Sequence, residues 1–336
     1  MNQEVCVVGG GIAGAGAAYA LPDDVDVTVY EMDTVGGRMA SRRRNGCVFD
    51  FGANYLELGD EDLESVIETA AGDVAVEIEP PVWRFDANGD ISEGQTPMNT
   101  RWTTRDGLDG IVRAIIEHSG TDLEVGVGVT HLERRAAGWL VTTDVGTREF
   151  DAVVLAVPGA SASVLFETAD WDAPVRDDLA RAVDEVPYRA MDSVALHYPF
   201  ELDTPFFGLV SEGGVYDVAW VSNEGHKPGH VPDGEGIVIV QFGPSWAVTH
   251  PQTSPAAAAE AATQRVVELL DDDRLAEPTW WEYQRWGDAV PTRGIDDALI
   301  DRSREDDLAI AGDWVEGIGR TRAALRSGLR AGRTLR

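Results

Sequence analysis

The sequence predicts a mixed α/β fold, α+β in its layout: a parallel-sheet domain, discontinuous in the chain, with an antiparallel-sheet domain inserted into it. Three observations lead there. The run Val5-Cys6-Val7-Val8 has the continuous apolar character of a strand buried on both faces, and it opens directly into glycines and an Ala-rich helix. Runs of the same kind return far along the chain, at Val153-Val154-Leu155-Ala156-Val157 and at Leu308-Ala309-Ile310-Ala311. Between those two, residues 166–284 alternate strand patterns with tryptophans, as an antiparallel sheet does.

The first strand leads into Gly9-Gly10-Gly11-Ile12-Ala13-Gly14, which satisfies Gly-x-Gly-x-x-Gly. A helix over 13–21 follows and stops at Pro22. A second strand, Val25-Asp26-Val27-Thr28-Val29-Tyr30, ends at Glu31 and Met32. This order of strand, glycines, helix and strand is a Rossmann-type βαβ unit. Gly9 permits the tight turn, Gly11 lets backbone approach a pyrophosphate, and Gly14 lets the helix lie close to the sheet. The N–H groups of Ile12, Ala13 and Gly14 open the helix and point a positive dipole end at phosphates. Glu31 can accept both hydroxyls of an adenosine ribose. The unit predicts a bound dinucleotide and does not by itself choose between NAD and FAD.

Val35-Gly36-Gly37-Arg38-Met39 makes that choice. A Gly-Gly-Arg shortly after the ribose acid resembles the flavin amine oxidase superfamily. Asp50-Phe51-Gly52-Ala53-Asn54-Tyr55 resembles the stretch of that superfamily that passes the flavin. The resemblance implies FAD, with Gly37, Arg38 and Met39 at the phosphates and Asn54 beside the ring. A guanidinium suits the phosphates because it stays charged and forks onto their oxygens. By the same resemblance the adenine meets backbone near Val129. Asp313 accepts a ribityl hydroxyl, and the helix opening at Gly319 and Thr321 points its N-terminus at the ring. Residues 42–44, all arginine, are expected to be mostly solvated.

Further along, residues 61–72 read as an acidic helix, and Val82-Trp83-Arg84-Phe85 as a strand turning at Asp86-Ala87-Asn88-Gly89-Asp90 into another. Gly107-Leu108-Asp109-Gly110 opens a helix through His118, and Leu123 through Val129 reads as one strand. The expected division is 1–75, 105–165 and 285–336 for the FAD-binding domain, with 76–104 and 166–284 for the substrate domain.

Three segments narrow the resemblance to renalase-like proteins: Trp220 through Asn223 to Lys227-Pro228-Gly229, Gln284-Arg285-Trp286 through Pro291, and Gly312-Asp313-Trp314 through Ser327-Gly328. It runs over nearly the whole chain. It implies oxidation of isomeric dihydronicotinamide nucleotides by hydride transfer to flavin N5, with oxygen as acceptor. Other members oxidise amines or desaturate hydrophobic substrates, and a flavin-binding redox protein with little turnover stays open as well. The chain departs from the family at Phe51-Gly52-Ala53-Asn54 and at Thr321-Arg322-Ala323-Ala324, which leaves the substrate open. Candidate catalytic residues are Asn223, Lys227 and Trp286. Lys227 either bridges a water beside the flavin or fixes the Lys-Pro-Gly turn. Trp286, Trp220 and Trp102 either wall a planar substrate or pack a core. His197, His226, His230 and His250 show no metal-ligand spacing, so no metal is expected.

Charge bounds the partners. The chain carries 59 Asp plus Glu against 27 Lys plus Arg, a net −32, and Lys227 is its single lysine. A field this negative repels nucleic acid and anionic membranes and leaves a small-molecule substrate as the expected partner. The pattern resembles proteins of extreme halophiles. Local exceptions are the arginines of 38–44 and of 317–336, the latter with six arginines and no acid. No apolar run approaches a membrane span, no leader pattern precedes the first strand, and Cys6 and Cys47 cannot make a disulfide framework. A reducing cytoplasm and a non-covalently held FAD are expected. Oligomeric state is not readable.

Overall fold

The computed structural model describes residues 2–94, 99–213 and 217–335. Its first sheet has five parallel strands in the order Asp122–Val125, Val25–Glu31, Gln3–Val8, Ala152–Leu155 and Leu308–Ile310. Val5 lies opposite Val27 on one side and Ala152 on the other, and Val153 lies opposite Leu308. The unbroken Val-rich runs are thus central strands, covered on both faces.

Helix Ile12–Ala20 crosses one face and is clasped by the last helix, Thr321–Thr334. Glycine permits that closeness. A Cβ on Gly328 would strike the Ala13 carbonyl oxygen, and one on Gly16 would lie 2.9 Å from Leu325. The C-terminus thereby completes the domain that the N-terminus begins. Helix Asp109–His118 closes the same core with Ile111, Val112 and Ile115.

The second sheet has seven strands in the order Trp280–Pro291, Tyr188–Tyr198, Gly236–Phe242, Val218–Asn223, Gly208–Ser211, Val82–Phe85 and Ile91–Ser92. All its pairings are antiparallel except Gly208–Ser211 with Val82–Phe85. Helix Pro255–Leu270 covers one face through Ala258, Ala262 and Val266.

The structure departs from the sequence reading in three places. The run from Leu123 is two strands, because Gly126 takes φ +80° and turns the chain; Asp122–Val125 stays in the parallel sheet and Val129–Arg135 starts a separate three-stranded meander. The division expected at 285 falls inside the strand Trp280–Pro291, which pairs with Tyr188–Tyr198 to its end. Helix Pro174–Asp184, expected with the substrate domain, buries Val175, Leu179 and Val183 against the parallel sheet.

Candidate active site

The site begins at two glycine loops held together. The Gly36 N–H donates to the Gly10 carbonyl at 2.8 Å, and Gly11 bridges Gly36. Gly9 takes φ +108°, with Ala156 oxygen 2.6 Å from where a Cβ would stand. Gly36 and Gly37 take φ +112° and +55°, which only glycine adopts without strain here. Gly11 differs from its neighbours. A Cβ there would meet nothing nearer than the Gly36 oxygen at 3.9 Å, so the space in front of it is open. The helix behind it has no side-chain cap and no acid in its first turn, leaving its leading N–H groups for a ligand. An open cradle lined by free N–H donors fits a pyrophosphate.

Glu31 is fixed beside it. One carboxylate oxygen accepts from the Gly10 N–H at 2.7 Å and the other from the Asp33 N–H at 2.9 Å. Met32 is 73% exposed and lies against Gly128, next to Val129 at the mouth of the meander. The ribose and adenine positions read from the sequence therefore lie together at one end of the parallel sheet.

Arg38 reaches toward the opposite edge of that sheet, where Asp313 follows strand Leu308–Ile310. Its guanidinium forks onto Asp313 at 2.8 and 2.5 Å and donates to the Ala289 carbonyl at 3.0 Å. The sequence assigned these two residues to separate parts of the cofactor; the structure also pairs them with each other, which keeps the buried Asp313 carboxylate neutralised. The Ala53 N–H donates to the Arg38 carbonyl at 2.9 Å, and Gly52 allows that approach. Met39 is buried in the core below. Asn54 turns toward the second sheet, donating to Gln241 at 3.1 Å. Gly319 lies against Val290, and Thr321 opens the last helix, whose first turn holds no acid.

Residues 42–44 are exposed, as expected, and each also meets a protein partner. Arg43 pairs with the buried Asp109 at 3.0 Å, Arg42 lies over the Phe51 ring, and Arg44 stacks on Trp280 at 4.7 Å. Their alternation along strand Ser41–Arg44 hid those partners, which come from distant segments.

Of the three candidate catalytic residues, Asn223 and Lys227 are held by structural partners and Trp286 packs beside a core. Asn223 caps a short turn, accepting from the Gly225 N–H and donating to the Leu202 carbonyl and the Thr204 hydroxyl. Lys227 is fully buried, with Nζ 2.6 Å from Asp50 and 2.9 Å from Glu224. Burial would lower its pKa, but Asp50 and Glu224 together raise it above the ordinary lysine value. Burial would raise Glu224, yet Lys227 and His230 outweigh it and hold that carboxyl below its ordinary value. Trp286 stands beside the core formed by Phe49, Phe51 and Ile239, with its indole N–H unpartnered. Asp50, Glu224 and His230 could together ligate a cation, but Lys227 already supplies one between the two carboxylates. Cys47, His197 and Glu235 form a second such group, joined by a His197–Glu235 contact of 2.7 Å. Neither group has a sequence spacing that reveals it. The single lysine of the chain was the one visible signal of the first.

A sequence profile described as flavin containing amine oxidoreductase matches residues 82–335. The chain belongs to that family. An NAD(P)-binding Rossmann-like domain matches residues 7–69, the stretch that carries both glycine loops. As a flavin amine oxidoreductase the chain is a FAD-dependent oxidoreductase, and the cradle described above is where its residues fit the cofactor. Protoporphyrinogen oxidase 2 of Arabidopsis thaliana is 38% identical over 69 residues, which is 20% of this chain and only 14% of that enzyme. A protoporphyrinogen oxidase from Exiguobacterium sp. 255-15, described as putative, superposes with a TM-score of 0.75 at 15% identity, covering 99% of this chain and 98% of that one. Cyclohexylamine oxidase from Brevibacterium oxydans IH-35A gives 0.74 at 14% identity, with the same coverage. These likenesses establish the fold of the family flavoenzymes across the whole chain. Among the described residues no helix is long and apolar enough to cross a membrane.

Proposed function

We propose that the chain oxidises a small reduced ring, an isomeric dihydronicotinamide nucleotide, in preference to an alkylamine. One observation carries this reading. The carboxylates buried in the described structure are Asp50, Asp109, Asp192, Glu224 and Asp313, and every one has a cationic side chain of the protein itself as partner. A substrate ammonium entering a dry site needs a carboxylate to receive it; no buried one is left, and the half-buried Glu57 already accepts from Asn99. A dihydropyridine ring is neutral and asks for no such partner.

When bound, FAD supplies the two-electron acceptor and returns the electrons to oxygen. The chain's part is to hold and orient. Gly11 and the first turn of helix Ile12–Ala20 take the pyrophosphate, Glu31 the ribose, and Arg38 with Asp313 the region between phosphate and ring. The N-terminus of helix Thr321–Thr334 favours negative charge near the ring. Asn54, fixed by Gln241 and Ser222, ties the cofactor side to the second sheet. No protein nucleophile is required, since orientation and exclusion of water suffice for hydride transfer. We read Asn223 and Lys227 as positioning this wall rather than touching substrate.

The cofactor is held without a covalent link. Cys6 is sealed in the first strand, where burial pushes its thiol far up; burial and Glu235 push Cys47 up to about 11. Neither offers a thiolate.

Anaerobic mixing of the holoprotein with isomeric dihydronicotinamide nucleotides, and separately with mono- and polyamines, tests the reading. The nucleotides are expected to bleach the flavin faster. Faster bleaching by an amine would assign the chain to the amine-oxidising members instead.

A further inference from the structure

Tyr55 stands where the two sheets meet. It runs into the short strand Leu56–Glu57, which pairs with Arg101–Thr104 so that Leu56 faces Trp102 and Glu57 faces Arg101. Alternation sends Leu56 and Trp102 into the core under the last helix. Tyr55, Glu57 and Arg101 therefore take the opposite side. There the Tyr55 ring meets Phe207 at 6.1 Å and Trp220 at 5.8 Å. The Tyr55 hydroxyl makes no hydrogen bond among the described residues.

Three arginines lie on the Tyr55 side of this aromatic wall. Arg101 is 7% exposed, donates one terminal N–H to the Pro80 carbonyl, and leaves its Nε without a partner. Arg320 caps the last helix and Arg322 lies in its first turn, where that helix packs against strand Leu56–Glu57. Among the described residues the Arg320 guanidinium donates only to the Gly319 carbonyl. Elsewhere in this acidic chain most arginines pair with a carboxylate, as Arg38, Arg43, Arg285 and Arg330 do. These three do not. Glu57, the acid on this side, accepts from Asn99 instead. The Tyr55 phenol registers the arrangement: burial and Glu57 raise its pKa, and Arg101, Arg320 and Arg322 all act against them. The Trp220 indole N–H, buried in the same wall, also lacks a partner.

Unmet buried donors are costly unless a ligand meets them. Guanidinium groups fork onto phosphate or carboxylate, and the start of a helix adds its dipole to the same end. We propose that the wall of Tyr55, Phe207 and Trp220, with Arg101, Arg320 and Arg322 on its Tyr55 side, binds a planar substrate by its anionic group and turns away alkylammonium ions. The proposal rests on the reading of the site as one for a dihydronicotinamide nucleotide, and names the residues that select it.

The test compares an isomeric dihydronicotinamide mononucleotide with the riboside that lacks its phosphate, on holoprotein at one fixed salt concentration. The nucleotide should show a KM lower by roughly tenfold or more at similar kcat. Arg320→Gln and Arg322→Gln should each erase roughly tenfold of that advantage, raising the KM of the nucleotide far more than that of the riboside. Arg333→Gln, exposed at the far end of the same helix, should change neither. Arg101→Gln adds to the case if it folds, but the two helix arginines decide without it. Equal KM values for nucleotide and riboside overturn the proposal. If neither compound reduces the flavin, the reading of the substrate fails, and dead-end binding then judges the pocket alone. Benzoate perturbing the flavin spectrum, with loss of that effect in Arg320→Gln and Arg322→Gln, sustains the anionic pocket. Benzylamine binding as tightly as benzoate, or benzoate binding unaffected by the two variants, overturns it.

Discussion

Replacing Lys227 by Met removes the one cation from a sealed group of charges. The Lys227, Asp50 and Glu224 side chains are 0%, 1% and 0% exposed, and both carboxylates lie within hydrogen-bonding distance of one nitrogen. The remaining contacts survive the change: Asp50 still accepts from Ser41 and the Leu108 N–H, and Glu224 from Ser222 and the Asp50 N–H. The charge does not. His230 is the nearest other base, at 3.5 Å from Glu224. Breaking a buried pair by removing one partner costs about 3–5 kcal/mol. At about 2 °C per kcal/mol for a chain of this size, the melting temperature should fall by roughly 6–10 °C. The pH dependence sharpens the test. In the parent, Glu224 lies below its ordinary 4.5 and Lys227 above its ordinary 10.5. The first contribution is present above the unfolded carboxyl value and lost as pH falls; the second is present below the unfolded lysine value and lost as pH rises. Stability from both is therefore full between them. In the variant two carboxylates share one site, so one is raised and folding takes up a proton. The deficit should be smallest near about pH 5 and grow toward about pH 8. Melting curves of holoprotein in molar KCl at both pH values read it out. A loss under about 1 kcal/mol, or a deficit that shrinks as pH rises, would refute the buried-charge account. Unchanged melting with abolished flavin reduction would move Lys227 into the chemistry.

The other predictions are shorter. Gly11→Ala should fold normally, since its Cβ has 3.9 Å of clearance, yet bind FAD roughly tenfold or more weakly because that space receives the pyrophosphate. Gly14→Ala should fail to fold, because its Cβ strikes the Gly9 carbonyl; comparing soluble yield and flavin content separates the two. Arg38→Ala should weaken FAD by at least about 1.5–3 kcal/mol, since Asp313 also loses its partner, whereas Arg43→Ala should lower melting temperature through Asp109 without changing FAD affinity. Equal effects of the two on FAD would contradict the assignment. The melting temperature should climb from 0.1 M to about 3 M KCl, as the Debye length contracts from about 10 Å to under 3 Å and the −32 charge ceases to repel itself. A flat or falling curve would require another cause for the acidity.

The meeting of the two glycine loops with Glu31 was legible because its demands are local. A pyrophosphate needs bare backbone at Gly9, Gly11 and Gly14, and a ribose needs an acid at the end of the next strand, so short spacings carry the information. Gly36-Gly37-Arg38 belongs to the same class. The buried charges were not legible. Glu224 and His230 share one turn, but Asp50 comes from a strand far earlier in the chain and meets them only through the crossing of the two sheets, so no spacing marks the group. Arg101 is hidden for the same reason, as one arginine in a strand whose partner lies over forty positions away. Residues 42–44 are exposed as read, but their partners were not legible, because Asp109, Trp280 and Glu282 lie far along the chain. The strand from Leu123 was read as one because a glycine inside a β pattern reads as a bulge as easily as a turn.

The most direct measurement is the cofactor released by denaturing protein purified in molar KCl. Mass analysis and visible absorbance of the soluble fraction should give intact FAD in equal amount to the protein, with a colourless polypeptide left behind. FMN, a nicotinamide dinucleotide, or flavin that stays with the polypeptide would contradict a site in which Gly11, Glu31, Arg38 and Asp313 hold FAD by non-covalent contacts alone.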